Sequence, residues 1–206
     1  LLIGTPQYID LKNAVTTLQP WEDVCLGLAH GLRAGNTIAN LFRASAIKSV
    51  GGWQENLPFL QDLDLLFRLL KKGTKYQLDF SPSCRCYDRP SGKITQQNPA
   101  GMYAASILQG NAINQWLTQH EPDYWQLNKY LFYAAILRKV KLLAAYDIDQ
   151  AMQLARQFLP IDFVPSSDNF FNFGGWHQLA YPLLGLERSE RIKYALTKAV
   201  ESLLKK

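Results

Sequence analysis

The sequence changes its hydrophobic period once, near Asn98 and Pro99, and this change constrains the fold more than any other feature. Before it, apolar residues alternate with polar ones, as at Tyr76, Leu78 and Phe80, which is typical of a strand with one buried face. After it, apolar residues recur at helical spacing through several long segments. The sequence therefore predicts an α/β part over residues 1–98 and an all-helical part over residues 99–206.

Composition narrows the classes of protein that this chain can represent. It has 206 residues with a net charge of +5, and its basic residues are spread out rather than massed. This favours anionic substrates or an anionic membrane surface over nucleic acid. The sequence predicts no signal peptide, and it has no apolar run long enough to cross a bilayer. Of the three cysteines, Cys84 and Cys86 lie two apart with no histidine close to them in the sequence, which disfavours a zinc site, so we expect reduced thiols in a cytoplasmic protein.

Residues 51–73 hold the densest set of signals in the chain. Gly51 and Gly52 permit backbone angles closed to other residues, and Trp53 follows them directly. An amphipathic helix is predicted next, with Asp62 as its N-cap and Gly73 as its C-terminal cap. Its apolar stripe consists of Leu63, Leu66, Phe67 and Leu70. The sequence therefore predicts a glycine turn, a proline-bent loop and a helix that starts at a carboxylate.

This pattern resembles the acceptor-side motif of family 2 glycosyltransferases, and the resemblance covers about residues 1–95. The motif is a glycine pair with an aromatic residue and a Glu, followed by a polar residue plus Asp, then Asp-x-x-x-Arg and Gly. The matching residues are Gly51, Gly52, Trp53, Glu55, Gln61, Asp62, Asp64, Arg68 and Gly73. The family usually has Glu at the position of Gln61, so the match departs there.

The resemblance implies a partial GT-A fold and an inverting transfer from a nucleotide-diphosphate sugar to the hydroxyl of a small-molecule or glycan acceptor. Asp62 would be the catalytic base. The acceptor-binding residues would be Gly51, Gly52, Trp53, Glu55 and Gln61. In the family a flexible loop closes over the donor diphosphate, and Arg89 and Lys93 are the residues of this chain that match it.

The resemblance also implies that part of the enzyme lies outside these residues. The family's nucleotide-binding half, with its Asp-x-Asp motif, is expected before Leu1, and we expect this chain to be a fragment of a larger enzyme. A divalent metal, Mg or Mn, is expected in the full enzyme, with no ligands in this chain. Asp62 and Asp64 do not form a metal site, because residues two apart on a helix point to nearly opposite sides.

Several residues have a structural interpretation beside the functional one. Asp62 can cap the helix, act as the base, or do both. Trp53 can be a core aromatic residue or a platform for a sugar ring. Arg89 and Lys93 can belong to a solvated basic turn. Asp64 and Arg68, at i and i+4, are expected to form an ion pair on the helix surface.

A second class of function stays open beside the enzyme. The helical part, with a degenerate glycosyltransferase-like front, would then be a non-catalytic interaction or scaffolding module. Arg138, Lys139 and Lys141 are expected on an ordinary solvated face, with peripheral contact to the cytoplasmic side of a membrane as the alternative. An Asp-x-Asp motif upstream of Leu1 would separate the two classes.

Four smaller elements complete the prediction. Residues 1–10 read as a strand that runs into a turn, and residues 36–43 as a second strand. A short helix is expected after Pro20, with Glu22 and Asp23 in its first turn. A brief helix is expected over residues 44–50, and a last helix over residues 187–206 after a loose aromatic stretch.

Overall fold

The computed structural model describes residues 1–92, 97–165, 173 and 175–204. A small mixed sheet has β1 (Leu2–Ile9) at its centre, between β2 (Val15–Thr17) and β3 (Gln77–Tyr87). β1 pairs antiparallel with β2 and parallel with β3, and the β3 register is interrupted around Thr5. All three strands lie before residue 98, and every regular element described after it is a helix.

Seven helices are present in the described ranges. Three belong to the first part: α1 (Val24–His30), α2 (Ala44–Ser49) and α3 (Gln61–Lys71). Four belong to the second part: α4 (Pro99–His120), α5 (Pro122–Ala144), α6 (Ile148–Phe158) and α7 (Gly175–Leu204). α7 is interrupted at Gly185, whose φ of 75° and ψ of 161° are not helical. The fold is therefore mixed α/β and mostly helical.

Local chemistry accounts for the helix starts in the second part. Asn98 caps α4 by accepting a hydrogen bond from the Gly101 N–H at 2.8 Å, and Pro99 occupies the first turn. Asp147 caps α6 by accepting from the Gln150 N–H at 2.9 Å. Each such cap stabilises its helix by about 1 kcal/mol. These caps fix where the long apolar segments of the helical part begin.

One hydrophobic core joins the two parts of the chain. Leu28 of α1 and Leu66 of α3 lie in the same cluster of buried side chains as Ile107 of α4 and Phe132 of α5. The Tyr124 hydroxyl on α5 also donates a hydrogen bond to Asp23, the N-cap of α1. Division into separate domains at residue 98 stays a prediction. The direct packing of α1 on the helical part shows that the two parts share an interface.

The predicted strand over residues 36–43 is wrong. That segment is a series of turns, with a single bridge between Leu41 and Leu2. Asn36 accepts a hydrogen bond from the Ala39 N–H at 2.9 Å, and Asn40 accepts one from the Gly4 N–H at 3.1 Å. These amide side chains satisfy backbone N–H groups, and they take the place of the inter-strand hydrogen bonds that a strand would need. A side chain at Gly4 would place its Cβ 2.2 Å from the Ala39 carbonyl oxygen, so the turns approach β1 closely.

Other sequence expectations are confirmed or shifted. The strand at the start, the helix after residue 44 and the helix ending before Gly73 are confirmed. Glu22 and Asp23 do not lie in the first turn of α1, because Asp23 is its N-cap. The last helix expected from residue 187 is confirmed up to Leu204, and a further helical segment from Gly175 precedes it across a kink at Gly185. Part of the loose aromatic stretch, residues 170–172 and 174, lies outside the described residues.

Candidate functional site

The start of α3 opens onto a cleft of about 550 Å³ between the two parts of the chain. Its walls come from β1, from the end of α1 and the turns after it, from the start of α3, and from α4 and α5. The polar and charged residues of its lining include Tyr8, His30, Asn36, Gln61, Asp62, Tyr103, Ser106, Arg138 and Lys139. The cleft therefore combines the conspicuous motif with side chains of the helical part.

Asp62 lies in the first turn of α3 but is not its N-cap. The cap position is occupied by Leu60, which has a φ of 63° and makes no side-chain capping bond. Asp62 Oδ1 instead accepts a hydrogen bond from the Leu63 N–H at 3.0 Å. Its other carboxylate oxygen contacts no hydrogen-bond donor among the described residues. The capping prediction is therefore wrong, and the half-buried carboxylate lines the cleft.

Two neutral side chains accompany Asp62 at what we call the acid end of the cleft, formed by Tyr8, Asn36 and Asp62. The Asn36 side chain donates a hydrogen bond to the Tyr8 hydroxyl at 2.9 Å. Burial raises the pKa of Tyr8, and the nearby Asp62 adds to the rise. Tyr8 therefore stays protonated near neutral pH and can donate a hydrogen bond within the cleft.

A second group of lining residues, which we call the basic end of the cleft, consists of His30, Arg138 and Lys139. Lys139 is 4% exposed, and its ammonium donates a hydrogen bond to the Ser106 carbonyl oxygen at 3.0 Å. Burial lowers the pKa of Lys139 to about 7, and Arg138 adds to this effect. Burial also lowers the pKa of His30 to about 3, with Arg138, Arg33 and Lys139 acting in the same direction. His30 is therefore neutral at pH 7.

The solvated face expected for residues 138–141 is wrong for Lys139. The side chain lies on the apolar stripe of α5, in register with Phe132, Ile136, Val140 and Leu143, all of which are buried. That spacing was readable in the sequence and is the signal that could have identified it. Arg138 is half-buried and also lines the cleft. Sequence reasoning therefore missed both cations of this site.

The glycine turn of the motif lies outside the cleft lining. Gly51 and Gly52 both have positive φ angles, 79° and 74°, which favour glycine. Trp53 is 42% exposed, and its ring makes an edge contact with Phe42 at 6.2 Å between centroids. Trp53 is therefore not a core residue. Glu55 is exposed and also lies outside the lining, whereas Gln61 lines the cleft and donates to the Leu57 carbonyl at 2.7 Å.

Arg68 ties this turn to α3. Its guanidinium pairs with Asp64 at 2.7 Å, which confirms the predicted ion pair. It also donates hydrogen bonds to the carbonyls of Val50 at 2.5 Å and Gly52 at 2.7 Å. The planar guanidinium holds a carboxylate and two carbonyls together through a rigid fork of donors, a geometry that a lysine ammonium does not reproduce. Arg68 is thus a structural clamp, a role that the sequence did not reveal.

Of the two residues predicted for the donor diphosphate, the structure describes only Arg89. Arg89 is exposed in the turn after β3 and does not line the cleft. Lys93 lies outside the described residues. In the part of the chain that the structure describes, no three His, Cys, Asp or Glu side chains converge to hold a metal ion. The arrangement can place a carboxylate, a phenol and two cations around one small ligand.

Two further findings bear on the class of protein. Within the described ranges, no helix combines the length and apolar character needed to cross a membrane. Comparisons with protein-family models, with curated proteins and with solved structures give no match to this chain.

Proposed function

We propose that this chain supplies the acceptor side of an inverting glycosyltransferase, with Asp62 as the general base. The observation that carries the proposal is the position of Asp62. Its carboxylate lies at the start of a helix and lines a cleft large enough for a sugar. The motif around it, from the glycine pair to Gly73, is the one that resembles family 2 glycosyltransferases.

In the proposed reaction, Asp62 accepts the proton of the acceptor hydroxyl as that oxygen attacks the anomeric carbon of the donor. The bond from the anomeric carbon to the diphosphate breaks, and the nucleotide diphosphate leaves. Tyr8 and Asn36 offer neutral hydrogen bonds that can orient the acceptor beside the carboxylate. General-base catalysis of this kind contributes about 10²- to 10⁴-fold to the rate.

The donor is proposed to be a nucleotide-diphosphate sugar bound mainly by a part of the enzyme outside these residues. Arg89 and Lys93 remain the proposed contacts to its diphosphate. A divalent metal, Mg or Mn, would offset the diphosphate charge, and the described residues of this chain do not form its site. No step assigned to this chain depends on it. The proposed location is the cytoplasm, with at most peripheral membrane contact.

The test is the substitution Asp62→Asn, assayed for glycosyl transfer in the enzyme that carries this chain. Turnover should fall by about 100-fold or more. The melting temperature should change little, because Asn keeps the oxygen that accepts the Leu63 N–H. Asp123→Asn is the matched control, because Asp123 is also the second residue of a helix but is exposed and outside the cleft lining.

Unchanged turnover in Asp62→Asn would remove Asp62 from the mechanism and favour the non-catalytic interaction module. A loss of turnover that follows an equal loss of thermal stability would assign Asp62 a structural role. A similar loss of turnover in Asp123→Asn would show that any charge change in a first helical turn is harmful.

A further inference from the structure

The basic end of the cleft holds more positive charge than its surroundings neutralise. Arg138 and Lys139 both line the cleft, and Asp62 is the one carboxylate among its described lining residues. In the described part of the chain, neither Arg138 nor Lys139 forms a salt bridge. A buried ammonium without a carboxylate is costly, and proteins generally pair such groups or supply them with a ligand.

The contacts of Lys139 hold its ammonium group in one position. It donates to the Ser106 carbonyl at 3.0 Å on α4. A Cβ added at Gly110 of α4 would lie 3.7 Å from the Lys139 Nζ, and one added at Gly31 would lie 3.9 Å from its Cε. The side chain is thus held between α4 and the end of α1. Its ammonium has three protons, and the described contacts use one of them.

The cations and the carboxylate of the cleft have different electrostatic neighbours. Arg138, Arg33 and Lys139 act on the pKa of His30, whereas Asp62 and the cysteines of β3 act on the pKa of Tyr8. The charged groups that act on the pKa of Arg138 are Tyr103 and Arg33. An anion at the basic end would therefore meet two cations that no carboxylate of the described residues pairs with. A ligand that fits both ends carries a hydroxyl at one end and an anion at the other.

We propose that the basic end binds a phosphoryl group of the acceptor, so that the acceptor is a phosphorylated sugar or polyol. This inference rests on the proposed function for its reaction, but not for its binding site. A phosphate monoester carries about 1.5 to 2 negative charges at neutral pH. Its charge would favour the protonated form of Lys139, whose pKa burial lowers to about 7, so that two cations would oppose it. Arg138 offers a planar fork that suits phosphate oxygens, and Lys139 offers a point charge. With the phosphoryl group held there, a hydroxyl of the same molecule can extend along the cleft, whose lining also includes Asp62.

The binding test uses the 206-residue chain with glycerol 3-phosphate and glycerol as matched probes. Affinities are measured from NMR chemical-shift changes or by calorimetric titration. Glycerol 3-phosphate should bind at least 10-fold more tightly than glycerol. Arg138→Gln and Lys139→Met should each weaken its binding about 10-fold or more, because each removes a charge-assisted hydrogen bond. Lys129→Gln is the matched control, since Lys129 is exposed on the same helix.

Arg138→Lys controls for loss of folding. Because it keeps the positive charge, its affinity for glycerol 3-phosphate should stay within about fivefold of the wild type, the decrease expected from losing one bidentate contact. Equal affinities for glycerol 3-phosphate and glycerol would overturn the proposal. So would unchanged phosphate affinity in both Arg138→Gln and Lys139→Met when thermal melting shows these variants folded. Weakening of the same size in Lys129→Gln would show that only the net charge of the chain matters, which also contradicts a built site.

A transfer assay separates the acceptor from the donor as the source of the phosphoryl group. In Arg138→Gln the KM for a phosphorylated acceptor should rise about 10-fold, and the KM for the donor should stay within twofold. A rise in the donor KM alone would assign the basic end to the donor diphosphate and overturn the proposal. If phosphate binds as expected but Asp62→Asn transfers sugar normally, the proposed function fails and the phosphate site stands. The reverse pattern removes the phosphate site and keeps the function.

Discussion

The two ends of the cleft differ in origin, in charge and in burial. The acid end comes wholly from residues 1–98, and its carboxylate is half-buried beside neutral hydrogen-bonding groups. Most of the basic end comes from α5, and its lysine is 4% exposed. The free-energy cost of removing charged groups from water therefore falls mainly on the cations and less on the carboxylate. The comparison indicates that the helical part does more than support the motif, because it supplies one wall of the site.

The largest effect expected from a single change tests whether the two ends belong to one folding unit. Phe132 of α5 is fully buried and contacts the rings of Tyr124 and Trp125. Phe132→Ala should lower the free energy of unfolding by about 3–5 kcal/mol. Because the core is shared, chemical denaturation should still show one transition for both parts.

The control for this experiment is Leu127→Ala on the same helix, since Leu127 is 85% exposed. It should change stability by less than about 0.5 kcal/mol. Two separate transitions in Phe132→Ala, with residues 1–98 keeping their original stability, would contradict the shared core. That result would make residues 1–98 and 99–206 independent domains.

A smaller effect is expected at Arg68, which bears on the acid end alone. Arg68→Met removes the pair with Asp64 and the two bonds to the turn carbonyls. These groups are largely shielded from water, so the unfolding free energy should fall by about 2–3 kcal/mol. Phosphate binding at the basic end should be unchanged, because Arg68 does not line the cleft.

Arg68→Lys is the informative companion variant. It keeps the charge but not the planar fork, so most of the loss should remain, as thermal or denaturant unfolding would measure. Full recovery of stability in Arg68→Lys would show that charge alone holds the turn. A parallel loss of glycerol 3-phosphate binding in Arg68→Met would contradict the separation of the two ends.

The smallest effect is a pH dependence that belongs to the basic end. Folding lowers the pKa of Lys139 from 10.5 to about 7. Between these values the unfolded chain binds a proton that the folded chain does not, so stability rises with pH. Below pH 7 both states are protonated, and the cost of burying the charge is present in full. From pH 7 to pH 9 the unfolding free energy of the wild type should rise by about 2 kcal/mol relative to Lys139→Met.

Urea denaturation at several pH values measures this difference directly. The pKa of Lys141 is also lowered by burial, to about 8, but Lys141 is present in both proteins and largely cancels. A wild type that parallels Lys139→Met across the whole range would show that Lys139 is solvated in solution. The basic end would then lack the buried cation on which the phosphate proposal depends.

The sequence predicted the segment over residues 51–73 better than the basic end, for physical reasons. The α3 helix, the Asp64–Arg68 pair and the glycine turn follow from spacing and from glycine's backbone freedom, which are local properties. The position of Arg138 and Lys139 depends on how α5 packs on α1 and α4, which is a long-range property. One local signal did indicate the burial of Lys139, namely its position on the apolar stripe of α5. A charged residue at such a position is usually interpreted as an interruption of the stripe.

The errors in the first part have a common cause. Asn36 and Asn40 looked compatible with a strand, and Asp62 looked like a cap, because side-chain hydrogen bonds are not visible in a hydrophobic pattern. In the structure both asparagines bind backbone groups, and Asp62 binds the N–H of the next residue. Short polar side chains can satisfy the backbone in several ways, and only the tertiary fold selects one.

The Arg68 clamp has a thermodynamic consequence for the two ligand-facing parts of α3. Asp62 and Arg68 lie on one 11-residue helix, and Arg68 holds the carbonyls on either side of Gly51. The turn therefore cannot shift relative to α3 without breaking contacts of Arg68. A ligand that displaced the turn would act on the helix that carries Asp62, and by reciprocity a ligand that displaced Asp62 would act on the turn to the same extent.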